Sequence, residues 1–224
     1  ASVMEYRDLG YLPEAVLNYL VRLGWSHGDQ EIFSLDEMSE LFDLSGCNKA
    51  PSAINPSKLV WLNKHYLKAL DPSHVARHLS WHIGQLGIDP SAGPHLTEVV
   101  KAFAERSDTL KDMAQAALFL YRDFVDYEPK AASKNLTAAA EAPLRQLRKA
   151  LAALPEWRAA PIHEAVKGIA KAGGLALGKV AQPLRVAVSG TAVSPPIDVT
   201  LELLGRAKTL ARIERALAYS GERS

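Results

Sequence analysis

The chain is poor in cysteine, in aromatic residues and in long apolar runs, and each shortage excludes a class of protein. Of its 224 residues 48% are hydrophobic but only 7% are aromatic, and Cys47 is the single cysteine. One cysteine forms no internal disulfide and leaves no thiolate cluster for structural zinc. Charge or glycine interrupts every apolar run well before the roughly 20 residues that span a bilayer. We therefore expect a soluble, cytoplasmic protein without a membrane partner.

Charge is unevenly distributed, although the formal total is only +1. Residues 1–70 hold 6 basic and 9 acidic side chains, residues 71–128 hold 5 and 9, and residues 129–224 hold 15 and 7. The net charges of the three segments are therefore −3, −4 and +8. Because neutralised phosphates supply most sequence-independent affinity for nucleic acids, the third segment favours an anionic partner. The alternative is a solvated basic helical surface.

Apolar residues recur at helical spacing, and hardly any segment alternates with a period of two. The pattern predicts an all-α fold of consecutive helical-bundle domains in an elongated arrangement, with few or no short strands. Ser34 and Glu37 have the spacing of a capping box, and Asp71 begins another helix. Helices are also predicted over residues 12–24, 56–67, 96–103, 110–124, 138–154, 162–172 and 201–219.

The most informative segment runs from Gly178 to Arg185 and continues to Asp198. It is expected to set Gln182 and Arg185 on the rim of a short apolar turn, followed by a stiff proline-bearing loop. Arginine presents a rigid fan of donors that matches phosphates and base edges, and its plane can stack on a ring. The segment therefore predicts a surface that reads a planar polar ligand. A helix end with an ordinary surface arginine is the alternative.

Candidates for catalysis are few. His74, His78 and His82 recur every four residues, which would align three imidazoles on one helix face as metal ligands are aligned. No acidic or cysteine ligand is obviously paired with them, and Arg77 opposes a cationic site. We expect structural or solvent-facing histidines and no metal, with a metal enzyme as an alternative. The sequence has no phosphate loop, dinucleotide glycine fingerprint or nucleophile elbow, so no catalytic residue is predicted.

Two further places carry side chains suited to RNA. Lys58 and Trp61 lie three residues apart, so an ammonium could meet a phosphate while an indole packs against a sugar. The pattern alone nevertheless favours a core position for Trp61. Arg106 comes just before a helix whose predicted cap is Ser107 or Asp108, and a loop can hold an arginine outward there. The alternative for Arg106 is an ordinary surface charge.

Four stretches together resemble the C-terminal half of the bacterial glutamyl-tRNA synthetases. They occur in the family's order over almost the full length of the chain. In that family the first stretch follows the mobile lysine-serine-lysine loop of the catalytic domain. The resemblance implies that this chain begins beyond that loop and lacks the active site. The stretches are Tyr6–Ala15 with Leu23–Ser26, Lys58–Asn63, Asp108–Lys111, and Gln182–Arg185 through Gly190.

The resemblance implies a tRNA-binding fragment of glutamate-tRNA ligase. Residues 1–70 would form a stem-contact domain, and residues 71–128 and 129–224 would form the first and second anticodon-binding helical domains. The parent class I ligase would attach glutamate to tRNA(Glu) with ATP and Mg. This fragment would hold no cofactor, remain a monomer and be inactive alone. The alternative from another class is a helical protein-interaction module with a basic surface.

The resemblance also assigns roles to residues. Lys58 and Trp61 match contacts to the inside of the tRNA L. Arg106 matches an arginine with which discriminating members recognise the third anticodon base and reject glutamine tRNA. Gln182 and Arg185 match residues around the first anticodon base.

The loop that encloses the splayed anticodon in that family corresponds to Ser194, Pro195 and Ile197. Three positions depart from the family's pattern. Asn55 stands where aspartate is common, Ser194 where threonine is frequent, and Pro196 where glycine often occurs.

Overall fold

The computed structural model describes residues 2–222, and α-helices account for all of its long elements. In this part of the chain the only pairing of extended backbone is an isolated antiparallel bridge between Trp25 and Cys47. The all-α prediction is therefore confirmed. The helices are α1 Val3–Leu9, α2 Pro13–Gly24, α3 Leu35–Leu41, α4 Pro56–Ala69, α5 Pro72–Gln85, α6 Leu96–Phe103, α7 Leu110–Ala117, α8 Pro129–Asn135, α9 Ala138–Ala152, α10 Ala159–Ala172, α11 Leu177–Ser189, α12 Ile197–Leu204 and α13 Arg206–Glu222.

The chain divides into two compact units. The first comprises Ala1–Pro90 and His95–Leu118, and the second comprises Ser91–Pro94 and Phe119–Ser224. In the first unit α2 packs on α4, and α5 packs on α6 and α7. In the second unit α9 packs on α13, and α10 packs on α11 and α12. The division into three domains at residues 70 and 128 stays a prediction.

Buried amides tie the first unit together. The Nδ2 of Asn63 on α4 donates to the backbone oxygen of Asp108 at 2.7 Å, and its Oδ1 accepts from the Leu12 amide at 2.8 Å. Gly10 has φ +96°, and a Cβ there would lie 2.5 Å from the backbone nitrogen of Lys111. Three of the four stretches noted in the sequence are thus joined at this point. Asn63 and Gly10 are therefore explained by packing inside the unit.

Several helix starts lie where the side chains predict them. Ser34 and Glu37 form the reciprocal capping box of α3. The side-chain oxygen of Asn55 accepts from the backbone amides of Ser57 and Lys58 at the start of α4. Asparagine therefore caps this helix as an aspartate would. Asp71 caps α5, and a proline follows each of these last two caps, where its missing N–H costs nothing.

Helices α7, α12 and α13 differ from the predictions. The cap of α7 is Thr109, because its hydroxyl accepts from the Asp112 amide, whereas Ser107 is buried and donates to Phe103. The helix predicted over residues 110–124 ends as α-helix at Ala117 and continues as one 3-10 turn. The helix predicted over residues 201–219 is two helices, α12 and α13, because Gly205 interrupts it with φ +90°.

The segment predicted as a short apolar turn is instead the helix α11. Pro183 lies inside it, although proline in a helix interior typically costs about 3 kcal/mol. Val180, Leu184 and Ala187 are fully buried on one face of this helix. Packing of that face outweighs the proline, which sequence reasoning took as a sign of a turn. None of the helices in residues 2–222 is long and apolar enough to cross a bilayer.

Candidate nucleic-acid interface

The half-exposed face of α11 carries the polar fork. Gln182 and Arg185 lie one helical turn apart, so their side chains are neighbours. Arg185 donates from Nη1 to the Oε1 of Gln182. The Nε2 of Gln182 in turn donates to the backbone oxygen of Ala192 at 3.4 Å. The predicted pair is therefore brought together, and the amide orients the guanidinium.

A hydroxyl network fixes the other side of the Arg185 guanidinium. Arg185 donates from Nε to the Oγ of Ser194 at 2.8 Å. The backbone oxygen of Pro195 accepts from Ser194 at 2.7 Å and from the Thr200 hydroxyl at 2.9 Å. The Ser194 and Thr200 oxygens are 3.1 Å apart. Because Ser194 and Thr200 are buried, the loop before α12 has little freedom to move away from Arg185.

A buried arginine supports the C-terminal end of α11. Arg212 on α13 donates from Nη1 to the backbone oxygen of Val188 at 2.6 Å and pairs through Nε with Asp123 at 3.3 Å. Its side chain is only 5% exposed. Gly190 follows with φ +78°, and a Cβ there would lie 2.9 Å from the Phe124 ring. The chain reversal after α11 therefore depends on a glycine and on Arg212.

Residues of the loop before α12 differ in their exposure. Ser194, Pro195 and Ile197 are all buried, and Ile197 is the first residue of α12. Val193, by contrast, is 75% exposed at the tip of the same loop. The buried side chains shape the loop from inside. Direct contact of these three residues with RNA stays a prediction.

Exposed lysines lie on the helices beside the fork. Lys179 is on α11, one turn before Gln182, while Lys167 and Lys171 are on α10, which packs against α11. All three lysines are exposed. This part of the second unit therefore combines a planar fork with positive charge that can accompany a phosphate backbone.

In the first unit α4 presents the Lys58 and Trp61 pair. The Nζ of Lys58 lies 4.3 Å from the centre of the Trp61 ring, and Trp61 is 44% exposed. The core position expected for Trp61 is therefore wrong. The spacing alone did not reveal which face of α4 is buried, and that face carries Leu59, Leu62 and Tyr66.

Lys58 also forms an ion pair. Its Nζ lies 2.6 Å from the Oε1 of Glu31, and Arg22 approaches the same oxygen at 3.4 Å. The hydrogen bond from Lys58 is the main cause that lowers the pKa of the Glu31 carboxyl. A phosphate that binds Lys58 has to compete with this carboxylate. Because the pair is exposed, the competition costs little.

A shallow groove continues along α4 from Trp61. It has a volume of about 350 Å³ and is lined by Trp61, Lys64, His65 and Lys68, among others. Lys64 is 3.4 Å from a carboxylate oxygen of Asp108, and Lys68 is exposed. The exposed face of α4 is thus basic and aromatic over its whole length. Sequence reasoning named Lys58 and Trp61 and missed Lys64 and Lys68, which the i+3 and i+7 spacings from Trp61 could have indicated.

Arg106 ends the short 3-10 turn Ala104–Arg106 that follows α6, and it is exposed. It belongs to the first unit, whereas Gln182, Arg185 and Ser194 belong to the second. The buried Ser107 next to it hydrogen-bonds back to Phe103 at 2.8 Å. This bond helps to hold the backbone at the turn that carries Arg106.

The histidines of α5 lie in different environments. His82 is buried with its ring edge-on to Trp81, and burial lowers its pKa to about 4. His74 is half-buried, and its Nε2 lies 2.6 Å from the Oε1 of Glu14. Sequence reasoning found no acidic partner for this row because Glu14 is 60 positions away from His74.

Comparison with known proteins identifies the class. Residues 73–217, more than half of the chain, match the family described as "Anticodon binding domain". The chain therefore belongs to the anticodon-binding domain family. Residues 1–61 match a second family, described as "tRNA synthetases class I (E and Q), catalytic domain".

The individual relatives are bacterial glutamate-tRNA ligases. The chain is 57% identical over its full length to glutamate-tRNA ligase 1 of Nitrosococcus oceani, of which it covers 48%. It is 58% identical to the enzyme of the same name from Alkalilimnicola ehrlichii over 97% of this chain and 46% of the relative. The chain thus spans about half the length of these relatives. The recognised similarity to glutamyl-tRNA synthetases is confirmed.

A solved structure agrees with this assignment. It is a glutamate tRNA ligase from Elizabethkingia meningosepticum, crystallised in complex with its amino acid. The match covers 95% of this chain and 42% of the chain of that ligase. The TM-score is 0.83 at 29% sequence identity.

Proposed function

We propose that this chain binds tRNA(Glu) and reads its anticodon. The observation that carries the proposal is the Arg185 guanidinium, which is held by Gln182 and Ser194 on α11 within residues 73–217. Sequence-specific RNA recognition usually targets unstacked bases, which are read at their edges by forked side chains and stacked on planar groups. A guanidinium with two of its nitrogens already fixed by the protein is suited to this task.

The anticodon residues have separate tasks in this proposal. Gln182 and Arg185 contact the first anticodon base, and Arg106 contacts the third and disfavours glutamine tRNA. Ser194, Pro195 and Ile197 shape the loop around the splayed bases. Lys167, Lys171 and Lys179 are exposed and supply charge for the phosphate backbone.

The face of α4 contacts the inside of the tRNA L. Lys58 neutralises a phosphate, and Trp61, which is 44% exposed, packs against a sugar. Lys64 and Lys68 extend this contact along the groove. The role of α4 is positioning, since phosphate contacts fix register and carry little sequence information.

The parent enzyme would be a class I ligase that joins glutamate to tRNA with ATP and Mg. We propose that this chain binds tRNA without ATP or Mg. We further propose that it acts as a cytoplasmic monomer and charges no tRNA by itself. Only residues 1–61 match the catalytic-domain family. Measurable glutamylation by the purified chain with glutamate, ATP and Mg would contradict this part of the proposal.

A salt titration tests tRNA binding against the alternative of a protein-interaction module. If six or so phosphates are contacted, affinity for tRNA should fall by about a thousandfold between 50 and 200 mM salt. The Lys58→Gln variant should have a log-log slope smaller by about 1. Lys101→Gln is the control, because Lys101 is also an ion-paired lysine, lies on α6 and is not among the proposed tRNA contacts. A flat titration, or no binding at low salt, would favour the protein-interaction module.

A further inference from the structure

Three potential metal ligands from two helices converge in the first unit. Glu14 lies in the first turn of α2, and His74 and His78 lie one turn apart on α5. One ligand atom from each residue lies within 4.8 Å of the other two. Side chains at i and i+4 of a helix share one face, and this arrangement of two histidines and a carboxylate is a common donor set for zinc.

The Glu14 carboxylate has an unsatisfied oxygen. Its Oε1 accepts from His74 at 2.6 Å, whereas its Oε2 is buried and has no hydrogen-bond partner among the described residues. The whole side chain is only 13% exposed. A buried carboxylate oxygen without a donor or cation is costly, and such groups call for an explanation. A bound cation would satisfy this oxygen.

We propose that Glu14, His74 and His78 form a site for a divalent transition-metal ion of the zinc type, with water completing the coordination shell. Imidazole and carboxylate suit zinc at bond lengths of about 2.1 Å, which place tetrahedral ligand atoms about 3.4 Å apart. The present spread of up to 4.8 Å and the contact of 2.6 Å bracket that separation. The three donor atoms are therefore already close to the separation that a bound ion requires.

Arg77 opposes this site and provides a sharp test of it. Its Nη2 lies 3.2 Å from the Nδ1 of His74 and donates to it, so the ring proton is on Nε2 and faces Glu14. Metal binding at Nε2 requires the other tautomer, with the proton on Nδ1. The exposed Arg77 side chain must then turn away into solvent. Removing Arg77 should consequently strengthen metal binding.

The site would act on stability. Its ligands come from α2 and α5, so a bound ion would link these two helices. An ion that binds only the folded state raises the apparent free energy of unfolding, and this increase grows with the logarithm of the ratio of free ion concentration to Kd. None of the three ligands is among the proposed tRNA contacts, so failure of this inference would leave the proposed function intact.

Calorimetric titration of the full chain with Zn²⁺ tests the site. We expect one ion per chain, at least about tenfold weaker binding in Glu14→Gln and in His78→Gln, and tighter binding in Arg77→Ala. His95→Gln changes an exposed histidine outside the cluster and should bind as the parent does. All variants are made in a Cys47→Ser background, because the exposed thiol could bind zinc by itself.

The proposal would be overturned if the parent chain bound no Zn²⁺, if Glu14→Gln or His78→Gln bound Zn²⁺ as tightly as the parent, or if Arg77→Ala bound it more weakly. Cobalt provides a measurement that needs no ligand variant. Co²⁺ added to the Cys47→Ser chain should give the intense visible absorption of four-coordinate cobalt, displaced by one equivalent of Zn²⁺. Only weak absorption, as for Co²⁺ in water, would also overturn it.

Discussion

Arg185 donates from its Nε to the Oγ of Ser194 at 2.8 Å, across a separation of nine residues. The bond joins the half-exposed face of α11 to the loop that precedes α12. Because Ser194 is buried, it is a fixed acceptor, and the guanidinium is oriented before any ligand arrives. A group held in its binding geometry loses less conformational entropy on binding.

Replacing Arg185 by lysine keeps the charge but removes the planar fork. We expect Arg185→Lys to weaken tRNA(Glu) binding by about 1–3 kcal/mol, because an ammonium cannot make the paired contacts of a guanidinium. Equilibrium binding at fixed salt measures the effect. Arg158→Lys is the matched control at a site that is 76% exposed, and it should bind normally. Equal affinity of the two variants would remove Arg185 from the interface.

Thr200 is expected to position the Arg185 contact. Thr200→Val removes a buried hydroxyl that donates to Pro195, and we expect the free energy of unfolding to fall by about 1–2 kcal/mol, with weaker tRNA binding. Thr209→Val is the control, since the Thr209 hydroxyl is buried without a partner among the described residues. That variant should be as stable as the parent or more stable. Urea denaturation compares the two, and equal losses would contradict the hydroxyl network.

Trp61 is expected to contribute to RNA binding and little to folding. Trp61→Leu should change the free energy of unfolding by about 0.5 kcal/mol or less, because the ring is 44% exposed. Affinity for tRNA should nevertheless fall by about 1–3 kcal/mol, the range for lost aromatic stacking. A large loss of stability with unchanged tRNA affinity would place Trp61 in the core instead.

Arg106 is expected to set the choice between tRNAs. Arg106→Gln should reduce the preference for glutamate over glutamine tRNA by about 1–3 kcal/mol, since a forked contact to one base is lost. The measured quantity is the ratio of the two affinities. Lys101→Gln removes an exposed charge on the neighbouring α6 that is not among the proposed tRNA contacts, so it should leave the ratio unchanged. An unchanged ratio in Arg106→Gln would exclude the residue from base recognition.

His82 should make stability depend on pH. Burial lowers its folded-state pKa from 6.5 to about 4, so the unfolded chain binds a proton in this interval that the folded chain does not. The stability that depends on neutral His82 is fully present above pH 6.5 and is lost as the pH falls toward 4. From pH 6.5 to 5 the loss should be up to about 2 kcal/mol.

Urea denaturation at pH 7.5 and pH 5 tests this expectation. His82→Gln should lose less stability between the two pH values than the parent does. His95→Gln, at an exposed position, should follow the parent. If His82→Gln shows the same pH dependence as the parent, the titration arises elsewhere.

Local features of the fold were predictable where one side chain decides them. Ser34 with Glu37, Asn55 and Asp71 each satisfy backbone amides within three residues, so the sequence alone identifies these helix starts. Pro183 was misleading because its cost is local, whereas the burial that outweighs it depends on helices distant in the sequence.

In the candidate site, too, local contacts could be predicted from the sequence, whereas contacts between distant residues could not. Gln182 and Arg185 are three residues apart, so their contact could be predicted from helical spacing. The bond from Arg185 to the buried Ser194, the support from Arg212 and the pairing of Glu14 with His74 require the tertiary fold. A buried arginine such as Arg212 gives no signal in the sequence, since most arginines are exposed.

The most direct test of the account compares two RNAs that differ only in the anticodon. Affinity of the chain is measured at one salt concentration for tRNA(Glu) and for the same tRNA with its three anticodon bases replaced. Each wrong base typically costs about 1–3 kcal/mol, so we expect a decrease of at least tenfold for the replaced anticodon. Equal affinities would mean that the chain holds only the RNA backbone, and would contradict anticodon recognition by Arg185, Gln182 and Arg106.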